Sequence, residues 1–204
     1  MSKYWEKYYK VNKSPIKPTK FATFCTKFLK NFSGNIYDLG CGNGRDTNFF
    51  NKLNLNCYGV DLCKVITKKN KKRFKSFGEK FIQEDFSKLN FIEKKKDAAI
   101  FSRFSLHSIT KKKQQILFQK LRKLKNVKLL MIEVRTIYDE LFGKGTKISK
   151  YEYVHTHYRR FLIPKEIKKD IMKNYNLKYF KVSRNFAKYN KENPKVLRII
   201  AIKK

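Results

Sequence analysis

The feature that most constrains this chain is a loop with glycine at every second position, placed between an apolar segment and a helical pattern. The apolar segment contains Asp38, and Gly40, Gly42 and Gly44 follow it. Apolar residues at helical spacing continue from residue 47 to 53. Glycine permits backbone angles that a Cβ forbids and lets a ligand approach the main chain closely. The sequence therefore predicts a strand, a ligand-binding loop and a helix whose free N–H groups face that ligand.

The spacing of the glycines distinguishes two kinds of loop. A dinucleotide-binding loop carries G-x-G-x-x-G, and its third glycine would stand where this chain has Arg45. The next predicted strand ends in Asp61, at about the distance of 20 residues where such folds hold a ribose diol. A carboxylate can accept hydrogen bonds from both ribose hydroxyls, although an acid at this place can also cap a helix. The glycine spacing therefore differs from that of a dinucleotide-binding loop, whereas an acid that could bind a ribose is present.

Apolar strand-like segments alternate with amphipathic helical segments along the rest of the chain. The segments with a strand pattern are residues 36–39, 56–61, 80–83, 97–101, 127–134, 177–183 and 196–202. The fifth is nearly all apolar, as a central parallel strand should be, and a polar loop joins the last two. The sequence predicts an α/β fold, which is a doubly wound, Rossmann-like, seven-stranded, mostly parallel sheet with an antiparallel edge strand and helices on both faces.

The length of 204 residues fits one domain with a sizeable core. We expect residues 1–33 to form a helical lid or cap, because the aromatic residues at 4, 5, 8 and 9 share one side of a short helix. Residues 34–137 are the expected cofactor-binding half. Residues 138–163 lack clean periodicity and are expected to form an insertion that covers the substrate. Residues 164–204 are expected to form a C-terminal helix and a strand pair.

The formal charge of +34 has two interpretations. One is a nucleic-acid binder, because clustered basic residues attract phosphates. The other is compositional drift, since only nine of the 50 basic residues are arginine and Asn, Ile, Phe and Tyr are also plentiful. The lysines are scattered along the chain, and we favour drift. Either way, we expect non-specific attraction of anions at low salt.

The apolar runs and the cysteine spacing give further predictions about the class of protein. No apolar run approaches the roughly 20 residues that span a membrane, and no signal-like apolar stretch follows Met1. The four cysteines form no C-x-x-C pair, so we expect reduced thiols in a cytoplasmic protein and neither a zinc site nor another metal centre.

The D-x-G-x-G-x-G pattern, followed by an acid at the end of the second strand, resembles the class I S-adenosylmethionine-dependent methyltransferases over nearly the whole chain. The resemblance implies S-adenosyl-L-methionine as cofactor and S-adenosyl-L-homocysteine as product. It assigns the methionine part of the cofactor to the glycine loop, the ribose to the acid after the second strand, and the adenine edge to Asp85 and Phe86. The cofactor-binding residues that it implies are Asp38, Gly40, Gly42, Gly44, Asp61, Leu62, Asp85, Phe86 and Ser102.

The loop after the fourth strand, Ser102-Arg103-Phe104-x-x-His107, carries the candidate chemistry. In an open α/β sheet the ligand lies beyond the carboxyl ends of the strands. Arg103 and His107 are four residues apart, so one helical turn would aim both at the same place. We therefore predict that both contribute to catalysis, although a lone buried histidine is more often structural.

A narrower resemblance adds the segment His157-Tyr158-Arg159-Arg160-Phe161. Together with the loop after strand four, it is similar to small bacterial methyltransferases of surface-carbohydrate and phosphonate pathways. Some of these methylate an oxygen of a phosphonate or phosphoramidate group, and arginine forks suit phosphoryl oxygens. The resemblance implies His107, Arg103 and Tyr158 as catalytic residues in capsule polysaccharide modification. The substrate-binding residues that it implies are Tyr8, Arg103, His107, His157, Tyr158, Arg159 and Arg160.

Three other functions compete with this interpretation. A sugar-hydroxyl O-methyltransferase would use His107 as a general base. A nucleic-acid methyltransferase would fit the charge, but enzymes that methylate base amino groups usually carry N/D-P-P-Y after strand four, where this chain has Ser102-Arg103-Phe104-Ser105. A degenerate scaffold protein is the third, and the intact glycine loop and acids argue against it. We expect a small anionic substrate as partner, with no specific nucleic acid and no membrane.

Overall fold

The computed structural model describes residues 2–12, 15–189 and 192–204, which form helices around one large sheet and one small sheet. The strands are β1 (Asn35–Leu39), β2 (Cys57–Asp61), β3 (Phe81–Gln83), β4 (Ala98–Arg103), β5 (Val127–Arg135), β6 (Thr146–Ser149), β7 (Glu152–Val154), β8 (Tyr158–Arg160), β9 (Tyr175–Ser183) and β10 (Val196–Lys203). The α-helices are α1 (Ser2–Val11), α2 (Lys20–Cys25), α3 (Arg45–Lys52), α4 (Lys64–Arg73), α5 (Lys111–Lys123) and α6 (Pro164–Met172).

The large sheet has seven strands in the order β3-β2-β1-β4-β5-β10-β9. Strands β1 to β5 pair in parallel, whereas β10 runs antiparallel to both of its neighbours. The predicted seven-stranded α/β fold with an antiparallel pair at one edge is confirmed. The strand of reversed direction is β10, which lies one place inside the edge strand β9. The strand order reverses at β1, where ligands bind in doubly wound sheets.

Both faces of the large sheet are buried against helices. Adjacent residues of β1 point to opposite faces, so Tyr37 joins one apolar cluster and Ile36 the other. Leu117 of α5 packs in the cluster of Tyr37, while Phe21 of α2 and Phe50 of α3 pack in the cluster of Ile36. The two layers of helices fix the carboxyl ends of β1, β2 and β4 relative to one another.

The segment between β5 and α6 contains the small sheet β6-β7-β8, an antiparallel meander that the sequence pattern does not predict. Its strands are three or four residues long, and every residue of β6 is exposed, so no apolar alternation marks them. An aromatic cluster of Phe142, Tyr153 and Phe161 fixes the meander, and Leu162 pairs with Thr136 at the end of β5.

Two helices show where burial begins and ends. Helix α2 gives way after Cys25 to a 3-10 turn that ends at Phe28. In α6, Ile167 and Ile171 are buried, whereas Met172 is exposed. In the described part of the chain, no helix combines the length and the apolar character needed to cross a membrane.

Candidate active site

A cavity of about 260 Å³ lies at the carboxyl ends of β1, β2 and β4. Residues from the glycine loop, from the carboxyl ends of β1 to β4 and from α1 form its wall. They include Asp38, Gly40, Gly42, Arg45, Asp61, Leu62, Asp85, Phe86, Arg103 and Phe104, with Trp5 and Tyr9 as the contribution of α1. The cavity therefore brings together most of the residues that the sequence proposes as cofactor contacts.

The glycine loop has no room for side chains. Gly40 and Gly42 have φ angles of +70° and +52°, in the left-handed region that favours glycine. A Cβ on Gly40 would lie 2.7 Å from the Cβ of Ser105, and one on Gly42 would lie 2.6 Å from the hydroxyl of Tyr9. The third glycine, Gly44, caps α3 against the ring of Phe81 and does not line the cavity.

Asp61 is held in place by the backbone of its own surroundings. Its Oδ2 accepts a hydrogen bond of 3.0 Å from the N–H of Gly42, and its Oδ1 accepts one of 2.9 Å from the N–H of Cys63. Burial raises the pKa of this carboxyl, and the two backbone donors oppose that shift. Each carboxylate oxygen keeps a lone pair for a ligand, and the neighbouring Leu62 also lines the cavity.

Asp38 is a buried carboxyl with one hydrogen bond, from the hydroxyl of Thr47 at 2.7 Å. Burial, followed by the charge of Asp46, raises the pKa of Asp38 to about 8. Asp38 forms no ion pair with any described residue, so a cation bound in the cavity would favour the ionised form of this carboxyl.

Asp85 is already ion-paired. Its Oδ2 lies 2.6 Å from Nζ of Lys113, and its Oδ1 accepts hydrogen bonds from the N–H and the hydroxyl of Ser87. Burial alone would raise the pKa of this carboxyl, but these donors outweigh it and the pKa lies below its usual range. Phe86 beside it is buried and presents its ring to the cavity wall.

The loop after β4 presents Arg103 to the cavity. Nε of Arg103 donates to Oε1 of Glu133 at 3.0 Å, and its two terminal nitrogens donate to no described residue. Phe104 has a φ of +58°, which is rare for a bulky side chain. Ser102 lies behind this layer, buried and hydrogen-bonded to the hydroxyl of Ser105 at 2.6 Å, so it does not line the cavity.

The structure separates His107 from Arg103, contrary to the prediction that both aim at one place. After the left-handed Phe104, the chain makes a short 3-10 turn from Leu106 to Ser108. His107 is buried 5.4 Å from the ring centre of Phe104, and its Nδ1 has no hydrogen-bond partner among the described residues. Burial, then the charge of Arg135, lowers the pKa of His107 well below its usual range.

The meander places its predicted site residues outside the cavity wall. The hydroxyl of Tyr158 donates to Glu152 at 2.8 Å. Arg160 is buried, and its guanidinium donates to the carbonyl of Ile109 and to the side chain of Gln114. This geometry favours a structural role for Arg160, which ties β8 to the loop after β4.

Arg159 is half-buried and forms no hydrogen bond or ion pair within the described residues. Burial, then the nearby charge of Arg135, lowers the pKa of Arg159. Of the two arginines in the meander, Arg159 is thus the one whose guanidinium is left for a ligand.

Helix α1 covers the cavity and contacts the meander. Its Trp5 ring lies 4.9 Å from the ring of His157, and Tyr4 lies 5.1 Å from the same ring. Tyr8 packs against Tyr4 and Trp5 within this cluster. Burial lowers the pKa of His157 to about 3, so this imidazole is neutral at pH 7. We call α1 the N-terminal lid.

Two polar contacts attach the N-terminal lid to α4. Oε1 of Glu6 accepts a hydrogen bond of 2.9 Å from the N–H of Lys64 at the start of α4. Nζ of Lys69 donates to the carbonyls of Tyr9 and Lys10 at the end of α1. Each contact places a charge at the helix terminus that it stabilises.

Sequence reasoning missed Arg45 of the cavity wall and the ion-paired residues Glu133 and Arg198. Arg45 lines the cavity, and Glu133 bonds both Arg103 and Arg198. A charged residue inside the apolar fifth strand was the available signal for Glu133. Nothing local marks Arg198, because its partner lies 65 positions away in the chain.

Comparison with known proteins gives this site a chemical context. Residues 36–126 match the family model described as a methyltransferase domain. This segment is therefore similar to that family. It contains the glycine loop, Asp61, Asp85 and the loop after β4, which are the parts that form the cavity. The comparison with curated proteins found no match.

Solved structures extend the likeness to the whole fold. A protein from Pyrococcus horikoshii OT3, PH0226, has a TM-score of 0.72 and 17% identity, with 97% of this chain and 99% of that chain covered. The methyltransferase CcbJ from Streptomyces caelestis has a TM-score of 0.68 and 13% identity, with 97% and 95% covered. The glycopeptide N-methyltransferase MtfA, complexed with S-adenosyl-L-methionine, has a TM-score of 0.65 and 13% identity, with 92% and 95% covered.

The match to this family model and the likeness of the fold support S-adenosyl-L-methionine as the cofactor and S-adenosyl-L-homocysteine as the product. The residues present fit this molecule. Gly40 and Gly42 line the cavity, and Asp61 keeps acceptor capacity for a diol. Asp38 is a buried carboxyl without a cation, which an ammonium group would match.

Proposed function

We propose that the protein is an S-adenosylmethionine-dependent methyltransferase whose acceptor is an oxygen of a small phosphoryl-bearing metabolite, in the modification of surface polysaccharide. One observation carries the acceptor class. The terminal nitrogens of Arg103 are unpaired within the described chain and belong to the wall of the same cavity as the glycine loop and Asp61. A guanidinium with two free nitrogens matches two phosphoryl oxygens.

The proposed reaction requires the protein mainly to bind and orient the acceptor. S-adenosyl-L-methionine, when bound, would supply the methyl group, so the residues of the cavity would have to hold the acceptor oxygen in line with it. A phosphoryl oxygen is already anionic and needs no general base. Arg103 and Arg45 line the cavity as cations that can bind and orient it.

A neutral sugar hydroxyl is the less favoured acceptor. It would need a general base, and His107 was the candidate. His107 does not line the cavity, and burial lowers its pKa well below the usual range, which makes it a weak base at pH 7. The geometry therefore favours an acceptor that arrives already ionised.

Ligand binding tests the cofactor part of the proposal. S-adenosyl-L-methionine and S-adenosyl-L-homocysteine should bind in calorimetry, and NAD should not. Asp61→Ala should weaken that binding by roughly 1–3 kcal/mol, because ribose hydroxyls would be left unpaired. Asp170→Ala, which removes an acid from the surface of α6, is the matched control and should leave binding unchanged. Binding of NAD without binding of the sulfonium would reject the proposal.

Methyl transfer tests the acceptor part. Small phosphonates, phosphate esters and phosphoramidates are offered alongside neutral sugars, and methylated products are detected by mass spectrometry. Arg103→Ala should lower kcat/KM for a phosphoryl acceptor by about a hundredfold, or roughly 2.7 kcal/mol. Arg184→Ala, at an exposed loop position, is the control. A neutral sugar as the sole acceptor would overturn the phosphoryl assignment.

A further inference from the structure

Glu133 lies in the middle of a row of three charged residues that crosses the sheet. It is the direct cross-strand partner of Arg103 on β4 and of Arg198 on β10. Its Oε1 accepts from Nε of Arg103 at 3.0 Å, and its Oε2 accepts from Nε of Arg198 at 2.6 Å. The carboxylate is buried, with only 1% of the residue exposed, so each oxygen is committed to one guanidinium.

The two ends of this row differ. The guanidinium of Arg198 is enclosed, because it lies 4.3 Å from the ring centre of Phe186 and donates to the carbonyl of that residue. The guanidinium of Arg103 lies 4.3 Å from the ring centre of Phe104, and its terminal nitrogens are left for the cavity. The Arg198 end is therefore structural, whereas the Arg103 end opens into the candidate active site.

Backbone geometry reinforces the orientation of Arg103. The N–H of Phe104 donates to the carbonyl of Glu133 at 2.9 Å, and this bond accompanies the left-handed φ of +58°. A bulky residue in that conformation persists only where its surroundings impose it, and such strain is concentrated at functional sites. Side chain and main chain of Glu133 thus fix Arg103 and the residue that stacks on it.

We propose that Glu133 is a positioning residue that orients the Arg103 guanidinium for the anionic acceptor. This inference rests on the proposed function. Two guanidiniums against one carboxylate leave the row with a net positive charge, so Glu133 orients Arg103 without cancelling its attraction for an anion. An arginine that is already fixed loses less side-chain freedom when a ligand binds.

A double-mutant cycle tests this role. The probe is inorganic phosphate, titrated into protein saturated with S-adenosyl-L-homocysteine and followed by ³¹P NMR. Glu133→Gln should weaken phosphate binding about tenfold in the wild-type background and leave it unchanged in the Arg103→Ala background, because contacting residues are coupled. The affinity of Glu133→Gln for S-adenosyl-L-homocysteine should match that of the wild type, because Glu133 does not line the cavity.

Two further variants separate positioning from stability. Arg198→Met should lower the melting temperature and leave phosphate affinity unchanged, because Arg103 keeps its partner. The double variant Glu133→Gln/Arg198→Met keeps the net charge of the row. It replaces the single Glu133→Gln variant in the test if that variant does not fold. It should still bind phosphate more weakly than the wild type does.

The outcomes distinguish this inference from the proposed function. Wild-type protein that binds S-adenosyl-L-homocysteine but no phosphate would overturn the acceptor assignment and the role of Glu133 with it. Wild-type protein that binds phosphate, with equal losses from Glu133→Gln in both backgrounds or with a loss of melting temperature alone, would overturn only the positioning role.

Discussion

Asp38 and Asp61 both have carboxyl groups in the cavity wall, but they accept different numbers of hydrogen bonds. Asp61 accepts two backbone hydrogen bonds, whereas Asp38 accepts one from Thr47. Burial and the charge of Asp46 raise the pKa of Asp38 to about 8. We therefore expect a bound cation to change the protonation of Asp38.

Cofactor binding should therefore release a proton from Asp38. In the free protein at pH 7 this carboxyl is mostly protonated, and a bound cation favours its ionised form. Calorimetry in buffers of different ionisation enthalpy should show proton release for wild type and a smaller release for Asp38→Asn, which serves as control for the titration of the ligand itself. Equal proton release in both proteins would contradict this prediction.

The same pKa predicts how stability changes with pH. The folded pKa of about 8 lies above the unfolded value near 3.9, so the folded state binds more protons between these limits. Stability should fall as pH rises through this window. Asp38→Asn should flatten that slope in urea unfolding curves measured at pH 5 and pH 8, and an unchanged slope would argue against a buried, protonated Asp38.

The titration of His107 should change stability with pH in the opposite direction to that of Asp38. Its folded pKa is depressed by burial, so the unfolded state takes up a proton that the folded state does not, and stability is lost as pH falls below about 6.5. His107→Gln should remove this loss. The pH–rate profile with a phosphoryl acceptor should be flat between pH 6 and 7, because His107 does not line the cavity. Activity that rises near pH 6–7 and disappears in His107→Asn would instead make His107 the base.

At the scale of elements, the N-terminal lid joins two parts of the site. It contacts α4 through Glu6 and the meander through the stack of Trp5 on His157, and Trp5 also lines the cavity. A ligand in the cavity is therefore covered by an element held on by a few local contacts, and such elements open more readily than core strands.

Trp5→Ala should accordingly speed the release of S-adenosyl-L-homocysteine. Loss of the aromatic contacts removes about 0.5–1.5 kcal/mol, which corresponds to a severalfold faster dissociation in stopped-flow measurements. Lys7→Ala, at an exposed position of the same helix, is the control. An unchanged dissociation rate would mean that the lid does not limit release.

At the scale of the whole molecule, arginine and lysine have separate positions. Arg135, Arg160 and Arg198 are buried and hydrogen-bonded to carboxylates or carbonyls. The lysines in the ion pairs of this structure are more exposed, with 39% of the side chain of Lys113 and 64% of that of Lys111 accessible. Planar guanidiniums suit buried pairs, whereas ammonium groups are strongly hydrated, so the excess charge is carried mainly by solvated lysines.

Nucleic acids should therefore bind weakly and without sequence preference. Their affinity should fall steeply with salt, because the binding energy comes from counterion release. Filter binding of RNA and DNA from 50 to 200 mM salt measures this dependence. Over that range, a protein with 6–10 phosphate contacts loses about 10³–10⁵ in affinity. A tight complex at physiological salt, or methyl transfer to nucleic acid, would contradict the assignment of a small-molecule acceptor.

The fold and the cofactor side of the site could be predicted because their signals are local. Strand and helix periodicity, the alternating glycines and an acid at the end of β2 are all readable over a few residues. In a parallel sheet the carboxyl ends of successive strands lie at the same edge, so Asp38, Asp61 and Asp85 follow into one region from their positions in the sequence alone.

The surroundings of Arg103, His107 and Arg160 were decided by tertiary structure. Glu133 holds Arg103 from 30 positions away, and Arg160 bonds Ile109 from 51 positions away, so neither role has a local signature. The left-handed Phe104 separates His107 from Arg103, which a helical spacing rule cannot anticipate. The exposed strands of the meander bury too little apolar surface to show a period. Sequence determines the elements and their order, whereas a side chain's role depends on which atoms lie within about 3 Å of it, and only the packed chain fixes that distance.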